Sequence, residues 1–174
     1  MRAGICVAII GLFLAPEWAA ADRIALYSDA NGDCNLNLVG DISWQFFVYH
    51  ESTSGAMQSD FRISFDWGTG GGSVLTFNTP YANGPYTWYS GQTLAYGECK
   101  TGTFYVATVV ITGFTNEPCE AFAHVLDASI YDCGGTQHNA MGSTLTIDGS
   151  ASCPCNLPTP TERTNWGAIK SLYR

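Results

Sequence analysis

The chain has 174 residues, enough for one domain with its own core, and carries a formal net charge of −8 from 15 Asp and Glu against 7 Lys and Arg. That sign excludes nucleic acid and an anionic membrane surface as partners attracted by long-range charge, and it leaves protein, glycan or cationic partners. Charged residues make up 13% of the chain and aromatic residues another 13%, with 19 glycines, a balance that favours turn-rich β-structure over helical bundles.

Residues 1–21 read as a secretory signal peptide. Met1 and Arg2 give a basic start, Ile5 to Leu14 an apolar run, and Ala19-Ala20-Ala21 a small-residue cleavage site before Asp22. The apolar run is too short to span a bilayer and no second stretch of about 18 apolar residues follows, so no membrane span is expected. The mature protein is expected in the periplasm, at the cell surface or outside the cell. Cys6 leaves with the leader.

Residues 22–156 read as a β-sandwich domain. Arg23 to Ser28 is a short strand and Asp29 to Asp33 a turn. Trp44 to His50 is an aromatic and β-branched run. Asp60 to Trp67 alternates with period two, which predicts Phe61, Ile63, Phe65 and Trp67 on the core face. After a Gly68–Ser73 loop come Val74 to Phe77, a turn around Asn83-Gly84-Pro85, and an aromatic segment at Tyr86 to Tyr89. Thr103 to Phe114 is apolar at both parities, which predicts a central strand covered on both faces. Ala121 to Asp132 and Ser143 to Asp148 add two more. About eight strands separated by Gly, Asn and Pro turns, with no intervening helices, predict an all-β antiparallel sandwich, for instance a jelly roll.

Six cysteines remain after the leader: Cys34, Cys99, Cys119, Cys133, Cys153 and Cys155. In an exported chain this even number predicts disulfides, with about 15 possible pairings that sequence does not choose among. Cys153-Pro154-Cys155 lacks the second pair that a zinc site would need. Residues 157–163 form a stiff Pro/Thr linker. Residues 164–174 then form an amphipathic tail in which Trp166, Ile169, Leu172 and Tyr173 fall on one stripe of a short helix. A helix this short needs a docking surface, and self-packing, a sorting signal and a partner-binding peptide are all open to it.

Two local patterns offer binding chemistry. Asp29, Asn31 and Asp33 have the D-x-N-x-D spacing of a calcium loop, although Cys34 stands where such a loop needs Gly and Gly40 where it needs an acid; an Asx turn explains the same residues without an ion. No other cofactor is implied. Tyr81, Tyr86, Trp88 and Tyr89, with Tyr96 nearby, lie among Gly, Pro and Asn and could present rings to sugar faces, or could simply pack together. The chain has no nucleophile elbow, zinc-protease motif or phosphate loop. His50 and Glu51 are adjacent on a strand and so point to opposite faces. A hydrolase would have to rest on two distant carboxylates. The expected function is a non-catalytic surface or extracellular interaction domain, with a carbohydrate-binding module as the alternative, a glycoside hydrolase with an unrecognised carboxylate pair as the second alternative, and no catalytic residue assigned.

The ending Trp166-Gly167-Ala168-Ile169-Lys170-Ser171-Leu172-Tyr173-Arg174 resembles that of a group of uncharacterised secreted bacterial proteins that close on W-G-x-[IV]-K-x-[LM]-Y-R. The resemblance extends to Ile24-Ala25-Leu26-Tyr27-Ser28-Asp29, to Tyr96-Gly97-Glu98-Cys99-Lys100-Thr101-Gly102 and to Cys153-Pro154-Cys155. It implies a secreted domain and no particular reaction. Gly55-Ala56-Met57-Gln58-Ser59-Asp60-Phe61 followed by Phe65-Asp66 is similar to a strand of cohesin-like sandwiches, a likeness that bears on fold alone.

Overall fold

The computed structural model describes residues 22–38, 43–83, 91–147 and Cys153. The regular structure among them is all β. In chain order the strands are β1 (Arg23–Tyr27), β2 (Asn35–Leu36), β3 (Trp44–Asp66), β4 (Gly71–Asn78), β5 (Ala82–Asn83), β6 (Gln92–Phe114), β7 (Ala121–Tyr131), β8 (Gln137–Asn139), β9 (Met141–Gly142) and β10 (Thr144–Ile147).

Two strands of 23 residues each, β3 and β6, organise the sandwich by running through both of its layers. Trp44–Ser52 of β3 lies between β1 and the second half of β6, which in turn pairs with β4; the edge of β1 takes β9 in parallel. Gln58–Asp66 of β3 instead pairs with β7, and its start also pairs with Gln92–Ala95 of β6, beside β5. Beyond β7 come β10 and then β2. The stretches read as separate strands at Trp44–His50 and Asp60–Trp67 are thus one strand, bent where its register with β6 slips between Ser52 and Gln58. Register slips of this kind are how a strand turns from one layer into the next. The sheet does not close into a barrel.

The core lies between the layers. Ile24 and Leu26 of β1, Phe46 and Val48 of β3, Val109 and Ile111 of β6, Val125 and Ile130 of β7, and Leu145 and Ile147 of β10 are essentially sealed from solvent. Phe61 and Ile63 are buried as the alternation predicts, whereas Phe65 and Trp67 lie at the margin, stacked on each other at 5.8 Å. The Trp67 indole covers backbone: a Cβ at Gly72 would meet its ring at 2.4 Å and one at Gly113 at 2.7 Å. Thr103–Phe114 departs from expectation. It is central in its layer, but Thr108, Val110 and Thr112 are only half-buried, so one face of this segment packs in the core and the other forms an outer surface. β-Branched residues suit such a half-covered pleat as well as a buried one, which is why the apolar run was ambiguous.

Two disulfides have described partners. Cys99–Cys133 joins the bend of β6 to the turn after β7, and Cys119–Cys153 joins the segment before β7 to the chain beyond β10, with Cα atoms 5.4 and 5.6 Å apart. Cys34 is also disulfide-bonded. Cys155, the linker and the expected C-terminal helix with Trp166, Ile169, Leu172 and Tyr173 lie outside the described residues. Among the described residues no helix is long and apolar enough to cross a membrane.

Candidate functional site

Along the first half of β3, Phe46, Val48, His50 and Ser52 point into the core while Gln45, Phe47, Tyr49 and Glu51 take the outer face. Tyr49 stands directly across from Ala25 of β1 and Tyr105 of β6. The second pairing depends on a register slip between Val48 and Tyr49 that passes over Val106, so that a tyrosine meets a tyrosine. Ring centroids are 5.9 Å apart for Tyr27 and Tyr49, with planes at 54°, and 6.0 Å for Tyr49 and Tyr105, edge to face. The three rings form a row across β1, β3 and β6 on the outside of the layer.

At one end this row borders a cleft of about 230 Å³ lined by Tyr27, Ala30, Asn31, Gly32, Tyr49, Glu51 and Thr103. The Tyr27 hydroxyl donates to Glu51 Oε1. Burial and then the Glu51 carboxylate hold this phenol above its ordinary range, with Arg23 partly opposing them. Arg23 and Glu51 are register partners on β1 and β3, and Thr103 is the partner of Glu51 on β6. One side of the cleft therefore carries an acid and a hydroxyl around two aromatic rings, with Arg23 across from the acid on β1.

The other side is the Asp29 turn. Asp29 Oδ1 accepts from the backbone N–H of Asn31 (2.9 Å) and Asp33 (3.0 Å), and its Oδ2 accepts from Asn31 Nδ2 (2.9 Å). Asp33 Oδ1 in turn accepts from the Asn35 N–H at 3.0 Å. The backbone bond from Asp33, followed by the Asn31 side chain, lowers the Asp29 pKa below the usual carboxylate range. Asp29, Asn31 and Asp33, the residues with calcium-loop spacing, make an Asx turn that fixes Asn31 at the cleft rim. Among the described residues there is no group of three or more His, Cys, Asp or Glu that could hold a metal ion.

A second polar cluster is sealed inside. His50 Nδ1 lies 3.0 Å from Ser59 Oγ and 3.3 Å from the Tyr96 hydroxyl, and Tyr96 donates to Ser59 Oγ at 2.5 Å. His50 and Ser59 are fully buried and Phe104 packs on the imidazole at 5.1 Å, so this serine and histidine meet no substrate. Burial pushes the His50 pKa down to about 4, keeping the ring neutral. His50 and Glu51 do face opposite sides, one in the core and the other in the cleft.

Of the aromatic residues singled out for sugar binding, Tyr81 is half-buried, stands edge-on to Tyr96 at 4.8 Å and donates its hydroxyl to the Tyr105 carbonyl at 3.1 Å. Tyr86, Trp88 and Tyr89 lie outside the described residues. The cleft residues Tyr27, Tyr49, Glu51 and Thr103 were missed by sequence reasoning. Only strand register brings them together; the available signal was the outward parity of Tyr49 and Glu51 within an otherwise apolar strand.

No family model matches the sequence, and no curated protein matches it. Among solved structures, the fold is similar to the cohesin module of a family 33 glycoside hydrolase from Clostridium perfringens, with a TM-score of 0.52 and 7% identity over 75% of this chain and 98% of that one. It is similar to a non-cellulosomal cohesin from Archaeoglobus fulgidus, with a TM-score of 0.51 and 13% identity over 74% and 91%. It also resembles the sixth cohesin of Acetivibrio cellulolyticus scaffoldin B, solved with a Cel5 dockerin, with a TM-score of 0.50 and 10% identity over 75% and 99%. At these identities the likeness shows the fold alone, an open cohesin-like β-sandwich.

Proposed function

We propose that this chain is an exported, non-catalytic binding module of the cell surface or extracellular space. In this reading residues 1–21 are its leader, residues 22–156 the binding domain, and residues 157–174 a linker and tail that dock or direct it. The observation that carries it is the row Tyr27, Tyr49 and Tyr105 on the outer face of a layer whose inner face is already filled by core. Aromatic side chains stationed outside a packed core serve recognition. Disulfides support an oxidising compartment. The sixth cohesin of Acetivibrio cellulolyticus scaffoldin B, similar in fold, is solved in complex with a Cel5 dockerin, which supports a binding role for a sandwich of this shape. The buried Ser59 and His50 are out of reach of a substrate and so do not support a serine-hydrolase reading.

The test is photocrosslinking in the producing cell. p-Benzoylphenylalanine placed at Thr103, on the cleft rim, is expected to give surface adducts, and the same probe at Gln137, on β8 and away from the cleft, is not. No adduct from Thr103, or equal adducts from both positions, overturns the reading.

A further inference from the structure

We infer that the cleft between the Tyr27–Tyr49 ring pair and the Asp29 turn is a saccharide subsite that takes one pyranose ring of a neutral glycan. The assignment rests on the reading of this face as the binding surface and names its ligand class. Size is the first argument. At about 230 Å³ the cleft lies below the roughly 300–1,000 Å³ of drug-sized pockets, so it holds a single ring or one projecting group of a larger ligand.

Surface chemistry is the second. Two tyrosine rings inclined at 54° offer apolar faces to the C–H side of a sugar. Around them stand the Glu51 carboxylate as acceptor, the Thr103 hydroxyl as donor and acceptor, and the Asn31 amide held in place by Asp29. A ring of hydroxyls, each able to donate and accept, matches that mixture better than a purely apolar group does.

Charge decides between a sugar and the cation that a carboxylate beside aromatic rings would otherwise favour. Glu51 Oε1 already accepts from the Tyr27 hydroxyl, both Asp29 oxygens are engaged within the turn, and Arg23 stands opposite Glu51 in register, so the carboxylates at the cleft are already partnered and a cation is not selected. The chain's net charge of −8 disfavours an anion. A neutral ligand with many hydroxyls remains. Tyr105 continues the row beyond the cleft, so an oligosaccharide lying across the strands would meet a further ring and bind more tightly than its monosaccharide.

The experiment is a neutral-glycan array probed with the full mature chain, followed by calorimetry and amide-shift mapping with hexamers of β-1,4-linked glucose, xylose, mannose and N-acetylglucosamine. At least one neutral glycan is expected to bind, with shifts centred on Tyr27, Tyr49 and Thr103. Tyr49→Ala is expected to weaken binding about tenfold or more, and Tyr49→Phe to preserve it. Thr103→Trp, which fills the cleft without removing a packed ring, is expected to abolish binding even if Tyr49→Ala perturbs folding. Shifts centred elsewhere, or full affinity in Thr103→Trp, overturn the site. No neutral glycan bound while Thr103 still crosslinks to a protein overturns the ligand class and leaves the binding reading intact; loss of both removes the two together.

Discussion

Gly55 in the bend of β3 lies against Cys133: a Cβ on this glycine would sit 2.5 Å from the Cys133 Sγ and 3.1 Å from that of Cys99. The backbone there has φ +84°, in the region that side chains disfavour. The bridge between β6 and the turn after β7 is therefore seated in the notch that this residue opens where β3 leaves one layer for the other.

Gly55→Ala is expected to destabilise on two counts, about 1–2 kcal/mol for the backbone conformation and about 1–3 kcal/mol for overpacking against the bridge. Urea unfolding of the single variant, repeated in a Cys99→Ala/Cys133→Ala background, separates the two. Only the backbone part is expected to survive removal of the bridge. An equal penalty in both backgrounds would show that the disulfide is not what Gly55 accommodates.

Acid sensitivity follows from His50. Burial disfavours the charged ring and lowers its pKa in the folded state to about 4 from the ordinary histidine value of 6.5. Between those values the unfolded chain binds more protons than the folded one, so stability is full above about pH 6.5 and falls as pH drops toward 4. The upper limit of the loss is about 3 kcal/mol. His124 is also lowered by burial and contributes in the same direction. Urea midpoints measured from pH 4 to 8 are expected to slope in the wild type and to be flatter in His50→Gln. An unchanged slope in that variant would assign the acid sensitivity to other groups.

The layers were legible in the sequence wherever one parity alone carried the apolar residues. Phe61 and Ile63, or Ile24 and Leu26, could face only one way, and the even cysteine set declared crosslinks. Continuity was not legible, because the polar run Glu51-Ser52-Thr53-Ser54 and then Gly55 interrupt the apolar pattern between the two stretches. This segment is held by β6 at Ser52 and Ala56 on either side of the bend and by Asp22, which accepts from the Thr53 N–H at 2.8 Å and the Ser54 hydroxyl at 2.7 Å from a distant part of the chain. The cleft was hidden for the same reason. Tyr27, Glu51 and Thr103 come from three strands whose mutual register depends on slips that no local pattern announces. Asp29 and Asn31 were visible, and their hydrogen bonds, more than their spacing, show what they do in the turn.

Cys119–Cys153 closes a loop with a sequence separation of 34 residues, and it ties the chain beyond β10 to the entry of β7. By the chain-entropy model a loop of this size contributes about 4 kcal/mol. Cys119→Ser is expected to lower stability by about 3–4 kcal/mol in urea, with β7 and β10 losing amide-exchange protection before β1 and β4. Uniform loss of protection over all strands would mean that the bridge steadies the whole sandwich and not this corner.

The tyrosines inside and outside the sandwich separate stability from binding. Tyr96 is 5% exposed, and its hydroxyl joins Ser59 and His50, which have no solvent to turn to. Tyr96→Phe is therefore expected to cost about 1–2 kcal/mol, since a buried polar cluster loses a member it cannot replace with water. Tyr49 keeps its ring contacts when it becomes Phe and sits half-buried on the outer face, so its substitution is expected to change stability by no more than about 0.5 kcal/mol. Paired urea titrations of the two variants check this ordering. Were Tyr49→Phe the costlier change, the outer row would be acting as structure. A binding surface differs in that its side chains can be altered at little cost to the fold, and this asymmetry between two tyrosines on neighbouring strands is the cheapest measurement that tells the two apart.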